Sequence, residues 1–491
     1  MFSLFTSHSF AKHKYEEYSF YAFWKYEIKG SDNYHQFKSD LIQDKGVIKE
    51  IKNGYSKYTA TKPDWSKCSG DKTASFDYIP LLCYGNDGKL LSKNERKIID
   101  KEWKKNKLDI KFFKKDGKIY NAIPWNAKKI NDDTLLYYGF VRSKKADLMG
   151  GKWLTEGSSN PYEFEFDLRE DKKVDKELKK SALMSYLLFE NGKITVDKKS
   201  PEDRFSILLH EGAKLFSSSV GKTIVSYVLG NAVCEGYIDG VNSKIDDWPL
   251  IKNTLYDGQK IIDVINMSAG DQEYINIRER VKKTGKTAGN HTIKYLMEDV
   301  FKNSVKKKQE WNYSGLPPHL INNYIWFKSN GDYQKILDKT FKEKAKIKNS
   351  VQFRTKGYDK NYEDGILDDH FWATRYDYLR IAKAMLDDWQ NDTCVGKYLK
   401  TVFNNKVNKN YQRQGYGNVD NNSNWFNPKK YAGFFHTGYT GMKDRAVMGM
   451  DGNGGQSIMI DFDLGRIIVI NAIHNNYNWK KIAHSVIKKG K

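Results

Sequence analysis

The chain is poor in proline and cysteine, with 9 Pro and 4 Cys in 491 residues. The cysteines are Cys68, Cys83, Cys234 and Cys394, and no Cys-x-x-Cys or Cys/His spacing joins them, so neither a structural zinc site nor any other metal is implied. No stretch approaches the ~18 to 20 consecutive apolar residues of a membrane helix, and the longest apolar runs, such as Ile467–Ile470, are strand-length; no membrane span is expected. Low-complexity tracts are missing too. With 39% hydrophobic and 14% aromatic residues, this excludes a disordered, collagenous or coiled-coil chain and leaves a globular one. Acidic residues are fewer than basic ones, 61 against 83, which leaves a net charge of +22. Arginine, the better reader of bases and phosphates, is scarce, and the lysines lie in short runs along the whole chain (Lys104-Lys105, Lys114-Lys115, Lys306–Lys308). The excess charge therefore reads as solvated faces, and no nucleic-acid partner is expected.

The length predicts two to four domains at roughly 100 to 200 residues each. Residues 1–11 end in Ser9-Phe10-Ala11, a small-x-small pattern read as the remnant of a signal peptide although a charged n-region and an apolar h-region are missing. That reading implies a periplasmic or secreted protein; the alternative is an ordinary polar N-terminus and a cytoplasmic one. Residues 12–180 are rich in Tyr, Phe, Lys and Asp, with short alternating segments such as Leu135–Val141 and Tyr162–Leu168, and read as a β-rich N-terminal domain of unassigned function. In an oxidising compartment Cys68 and Cys83 could pair within it. The charged run Arg169–Lys176 reads as a linker or an exposed helix. No repeat of 20 to 50 residues is apparent.

From 181 to 491 the text changes. Met184–Phe189 and Ile194–Val196 flank Asn191-Gly192, a specific hairpin signal. Ile224, Val225, Val228, Leu229, Ala232 and Val233 mark one buried face of a helix that Gly236 ends, within which Cys234 reads as a small core residue. Thr374 and Asp377 form a cap for a helix through Leu379, Ala382 and Leu386. Ser457–Asp461 and Arg466–Ile470 are strands across an Asp463-Leu464-Gly465 turn, and a helix follows from Tyr477. Strands at both ends around a helical middle predict one α/β (α+β) domain whose sheet closes late.

Three stretches could carry chemistry. Ser219-Val220-Gly221-Lys222 opens the first strong helix, where one turn of about 3.6 residues returns Lys222 to the face of Ser219. A serine hydroxyl is a weak nucleophile without an adjacent base, and a partly desolvated lysine can lose its proton near neutral pH. Tyr313 lies in Trp311-Asn312-Tyr313-Ser314-Gly315, which alone reads as a loop with an aromatic plug. Phe435-His436-Thr437-Gly438-Tyr439 is a strand edge whose small residues allow a substrate backbone to approach. Rival motifs fail. A P-loop ending in Gly221-Lys222-Thr223 would need a glycine where Phe216 stands, no Gly-x-Ser-x-Gly elbow occurs, and His210-Glu211 lacks a second zinc histidine.

In order and spacing the three stretches resemble the serine β-lactamase and penicillin-binding-protein superfamily, on the side of class C β-lactamases, DD-peptidases and related esterases. Asp263–Gly270, Ala373–Leu379 and Gly454–Ile458 are similar to further segments of that group, and the resemblance covers residues 183–489. It implies an antiparallel sheet flanked by helices plus a helical subdomain. It implies an acyl-enzyme on Ser219, with Lys222 and Tyr313 as proton-transfer partners and no cofactor. His436, Thr437 and Gly438 would bind substrate, and the backbone N–H groups of Ser219 and Tyr439 would form the oxyanion hole. The chain departs from the pattern where Gly315 stands for the asparagine of Tyr-x-Asn, and where His436 stands for the lysine of Lys-Thr-Gly. Both departures shift the expectation from a β-lactamase or DD-peptidase proper toward a hydrolase of a small-molecule or peptide-like ester or amide. A catalytically silent binding protein that keeps the fold is the alternative from another class.

Overall fold

The computed structural model describes residues 153–181, 183–201, 214–275, 292–356, 366–410, 424–442, 444–452, 455–472 and 477–489, together with short stretches between 18 and 144 that are mainly strands. Residues 1–11, Cys68, Cys83, His210-Glu211 and Gly454, all singled out above, lie outside the described residues. In chain order the elements that matter here are β1 (Tyr18–Ile28), β2 (Asn126–Asn131), β3 (Thr134–Lys144), β4 (Leu154–Thr155), β5 (Glu165–Phe166), α1 (Lys172–Lys180), β6 (Leu183–Glu190), β7 (Lys193–Lys199), β8 (Lys214–Phe216), α2 (Val220–Cys234) and α3 (Ile261–Ile265). After them come α4 (Leu316–Lys328), β9 (Val351–Lys356), β10 (Ile366–Ala373), α5 (Arg375–Gln390), α6 (Cys394–Asn404), β11 (Val407–Asn408), β12 (Lys430–Ala432), β13 (Phe435–Thr437), β14 (Val447–Gly452), β15 (Gln456–Asp461), β16 (Arg466–Ala472) and α7 (Ser485–Lys488).

The Asn191-Gly192 turn joins β6 to β7 with both residues at positive φ, 53° and 78°, the backbone that a two-residue hairpin loop with right-handed strand twist demands. The last long strand, β16, pairs antiparallel with β6, Ile467 opposite Phe189 and Ile470 opposite Tyr186. Segments more than 270 residues apart in sequence (467 minus 189 is 278) thus close one nine-stranded sheet of order β11-β12-β13-β14-β15-β16-β6-β7-β5. Every pairing in it is antiparallel except the edge pair β5–β7. A second sheet runs β2-β3-β1-β8-β10-β9-β4. The fold is the mixed α/β one expected, an antiparallel sheet flanked by helices.

Helices cover the large sheet on both faces. The main core gathers Leu187, Phe189 and Ile194 of the sheet with Ile224, Val228, Leu320, Leu379 and Leu399 from α2, α4, α5 and α6. A smaller core on the other face holds Val174 and Leu178 of α1, Tyr186, Ile468 and, near the C-terminus, Ile482. The charged run is therefore helical but not wholly exposed: Asp171 caps α1 by accepting from the Lys173 and Val174 N–H groups, while Val174 and Leu178 are buried. Residues upstream of the compositional shift at 180 belong to these sheets as well, since β5 pairs with β7 and β4 with β9.

Two expectations need correction. Residues Val220 to Ala232 are buried all round, not on one face, because α2 lies between β10, α4 and α6 as well as over the sheet; a helix packed on every side shows a run of apolar residues rather than a stripe. Cys234 is not a small core residue. It ends α2 in a disulfide with Cys394, the first residue of α6. Among the described residues no helix is long and apolar enough to cross a membrane.

Candidate active site

The site begins at the turn between β8 and α2. Ser217 is tied to β10 twice, its N–H donating to the Phe371 carbonyl at 2.8 Å and its hydroxyl accepting from the Phe371 N–H at 2.7 Å. Ser218 then takes a left-handed φ of 47°, an uncommon backbone for a residue with a side chain. This sharp turn places Ser219 at the mouth of α2. One turn on, the Lys222 ammonium donates to Ser219 Oγ at 3.0 Å and to Asp369 Oδ2 at 2.7 Å. Gly221 is required between them, because a Cβ there would sit 1.7 Å from the Asp369 carbonyl oxygen.

Tyr313 arrives from a separate loop that is anchored by the Asn312 N–H donating to the Met267 carbonyl at 2.7 Å. Ser219 is close enough to its hydroxyl to lower the phenol's pKa, and Lys222 Nζ lies 5.4 Å from its ring centroid. Trp425 meets the Tyr313 ring edge-on at 4.6 Å, and His436 lies nearly parallel to it at 6.4 Å. Ser219, Lys222, Tyr313 and His436, spread over more than 200 residues (436 minus 219 is 217), are thus neighbours. His436 is only 2% exposed and stands behind the tyrosine within a cage that also includes Trp425 and Tyr431. The Thr437 hydroxyl is used inside the sheet, donating to the Val447 carbonyl at 2.8 Å. Gly438 has φ +68°, and the Tyr439 side chain turns to the smaller core, 6.1 Å from Trp479.

Charge decides what Lys222 can do. Burial alone would push the ammonium toward its neutral form, but the Asp369 carboxylate, helped by Tyr313 and Asp368, outweighs it and holds the lysine pKa above its ordinary value. The expectation that Lys222 sheds its proton by desolvation is corrected: a buried counter-ion favours the charged form. Burial also raises the Tyr313 phenol, and the Lys222 charge opposes that rise. His436 is held neutral by burial and by the Lys409 and Lys222 charges.

Sequence reasoning missed Asp369 and its surroundings. His319, in the first turn of α4, meets Asp369 Oδ1 at 2.6 Å, and Arg354 on β9 is paired with Asp368. Between Phe353 and Thr355 of β9 there is one residue, whereas between their partners Phe371 and Leu367 there are three, Asp368, Asp369 and His370. The extra residues bulge out of the ladder and re-aim their side chains. The available signal was an Asp-Asp-His triplet inside the apolar strand Ile366–Ala373. His319, Asp368, Asp369 and His370 also present four potential metal-ligand atoms within 4.8 Å of one another. Arg354 and Lys222 already balance the two carboxylates, so a divalent ion would leave a buried excess of positive charge; the cluster reads as an ion-paired network.

No protein-family model matches the chain. No curated protein matches it either. Solved structures similar to it include a class C β-lactamase from Rhodobacter sphaeroides, with 13% identity, a TM-score of 0.42, and coverage of 64% of this chain and 95% of that one. FmtA from Staphylococcus aureus is similar at 13% identity and TM-score 0.41, over 67% of this chain and 93% of that one. The D-amino acid amidase of Ochrobactrum anthropi SV3 is similar at 13% identity and TM-score 0.40, over 60% of this chain and 87% of that one.

Proposed function

We propose that the protein is a serine hydrolase that cleaves a carboxylic ester or amide through an acyl-enzyme on Ser219. The observation that carries this reading is the Lys222–Ser219 contact of 3.0 Å at the start of a buried helix, with the Tyr313 ring centroid 5.4 Å from the same ammonium. In the reactive form a Lys222 ammonium stands beside a Tyr313 phenolate; burial, which raises the phenol, makes this form a minority at neutral pH, and the lysine charge partly offsets that cost. As Ser219 Oγ bonds to the substrate carbonyl carbon, its proton passes to the phenolate oxygen; the same proton then goes to the departing alkoxide or amine, and water repeats the sequence to free the acid. The N-terminus of α2 supplies a favourable field for the oxyanion. In this scheme no cofactor takes part. The Cys234–Cys394 disulfide supports a periplasmic or secreted location, where such bonds persist.

Intact-mass measurement after incubation with a reactive fluorophosphonate tests the reading. One adduct is expected on the wild type and none on Ser219→Ala, while Lys222→Ala should label more slowly by about 10²- to 10³-fold, the usual worth of a preorganised electrostatic donor. A folded wild type that takes no adduct would favour the binding-protein alternative. Short-chain p-nitrophenyl esters and a fluorescent penicillin then separate an esterase or amidase from a penicillin-recognising site.

A further inference from the structure

We propose that Asp369, tethered by His319, is a positioning residue that holds the Lys222 side chain against Ser219. The inference rests on the reading of Ser219 as the nucleophile. Three independent features of the fold converge on the carboxylate. The bulge in β10 opposite Arg354 brings Asp369 to Lys222 of α2 and both Asp368 and Asp369 to His319 of α4, and a bulge beside a site commonly serves to re-aim a side chain. Gly221 lets α2 approach β10 until only a hydrogen atom fits over the Asp369 carbonyl. Lastly, each oxygen of Asp369 has its own partner, Oδ2 the Lys222 ammonium at 2.7 Å and Oδ1 His319 Nε2 at 2.6 Å.

A lysine carries four rotatable side-chain bonds, and one held at both ends of its hydrogen-bonding arc has a single useful direction. The Asp369 side chain is 1% exposed and that of Lys222 5% exposed, so water does not compete for the contact. Gly315 has no side chain to offer. The space beside it is taken by His319, whose Cε1 would lie 4.0 Å from a Cβ added at Gly315. Lys222 is therefore held from the strand side, through Asp369, rather than from the Tyr313 loop. Beyond the carboxylate, Asn322 and Asn323 of α4 donate to the Asp368 and Leu367 carbonyls at 3.3 and 3.2 Å, which fixes the helix that carries His319.

The test compares wild type, Asp369→Asn, Asp369→Glu and His319→Gln in the full-length protein, with two readouts. The first is the side-chain ammonium resonance of Lys222 in ¹⁵N-lysine-labelled protein, identified as the one lost in Lys222→Arg. The second is the rate of Ser219 labelling by fluorophosphonate from pH 6 to pH 10. In the wild type the resonance should persist past the ordinary lysine range; in Asp369→Asn it should vanish at lower pH, because burial is no longer offset. Labelling of Asp369→Asn at pH 7.5 should fall by about 10²-fold, with a displaced pH profile. Asp369→Glu should recover part of the rate, and His319→Gln should show a smaller loss with the resonance retained. A folded Asp369→Asn with unchanged resonance, rate and pH profile would overturn the proposal. Should the asparagine variant not fold, a His319→Gln protein with wild-type rate and profile overturns it instead. If no protein labels but the resonance shifts as described, the nucleophile reading fails while the hold of Asp369 on Lys222 stands.

Discussion

At the scale of single residues, buried ionisable groups set how the protein responds to pH. Asp271 accepts a hydrogen bond from the Tyr256 hydroxyl at 2.6 Å. Burial raises its pKa to about 6 although that hydrogen bond pulls the other way. The sign follows from proton counting. Between the ordinary carboxylate pKa and about 6 the native state binds the proton that the unfolded chain has lost, so stability is greatest below that window and falls as pH rises through it. A shift of about two pKa units corresponds to roughly 3 kcal/mol. Urea unfolding at pH 4.5 and pH 7 should show this loss in the wild type, and Asp271→Asn should reduce it and be the more stable protein at pH 7. An equal pH dependence in the variant would assign the slope to other groups. The same counting applied to Lys222 has the same sign but lies in the alkaline range, since its counter-ion holds the charged, protonated form; because that ammonium keeps its proton at neutral pH, the proton acceptor in the proposed reaction is Tyr313 rather than the lysine.

Between elements, the decisive contact is that of α2 with β10. It brings together the proposed nucleophile, its lysine and the carboxylate behind the lysine, and it depends on a glycine. In Gly221→Ala the new methyl would overlap the Asp369 carbonyl at 1.7 Å, and the obstacle is strand backbone, which cannot swing aside. Overpacking of this kind costs about 1 to 3 kcal/mol. The variant should lower the urea midpoint accordingly and slow Ser219 labelling more than its stability loss explains, because α2 must withdraw from β10 and carry Lys222 with it. A wild-type midpoint would show that the two elements have room to part. The Thr374 cap illustrates a contact that local sequence does encode: its side chain accepts from the Asp377 N–H, and Asp377 in turn receives the Lys348 and Asn349 N–H groups at 2.8 and 3.2 Å. The cap was readable from four adjacent residues, but the second use of Asp377 was not.

On the scale of the whole molecule, the Cys234–Cys394 disulfide spans a sequence separation of 160 residues and joins α2 to α6. A cross-link that closes so long a loop restricts the unfolded chain, and such bonds are typically worth about 2 to 4 kcal/mol. Reduction, or Cys394→Ser, should lower the melting temperature without loss of Ser219 labelling at 25 °C, since the bond lies at the far end of α2 from Ser219. Loss of labelling in a protein that is still folded would instead tie the bond to the site. The long-range closure of the sheet by β16 and β6 gives the fold many non-local contacts, so slow refolding is the corresponding kinetic expectation.

The sequence by itself determined the local pieces: the Asn191-Gly192 hairpin, the Thr374 cap, the apolar helix that Ser219 opens, the late strand pair, and the order of the stretches around Ser219, Tyr313 and His436. Each rests on residues within a few positions of one another, where spacing and backbone preference carry the information. Only the tertiary structure decided the charge of Lys222, the pairing of Cys234 with Cys394, the retreat of His436 behind Tyr313, and the place of Asp369 and His319 beside the proposed nucleophile. Asp369 lies 147 residues from Lys222, and no periodicity links two positions that meet through a bulge and a glycine contact. Burial and counter-ions set a side chain's protonation, and both are properties of the packed molecule rather than of any stretch of chain.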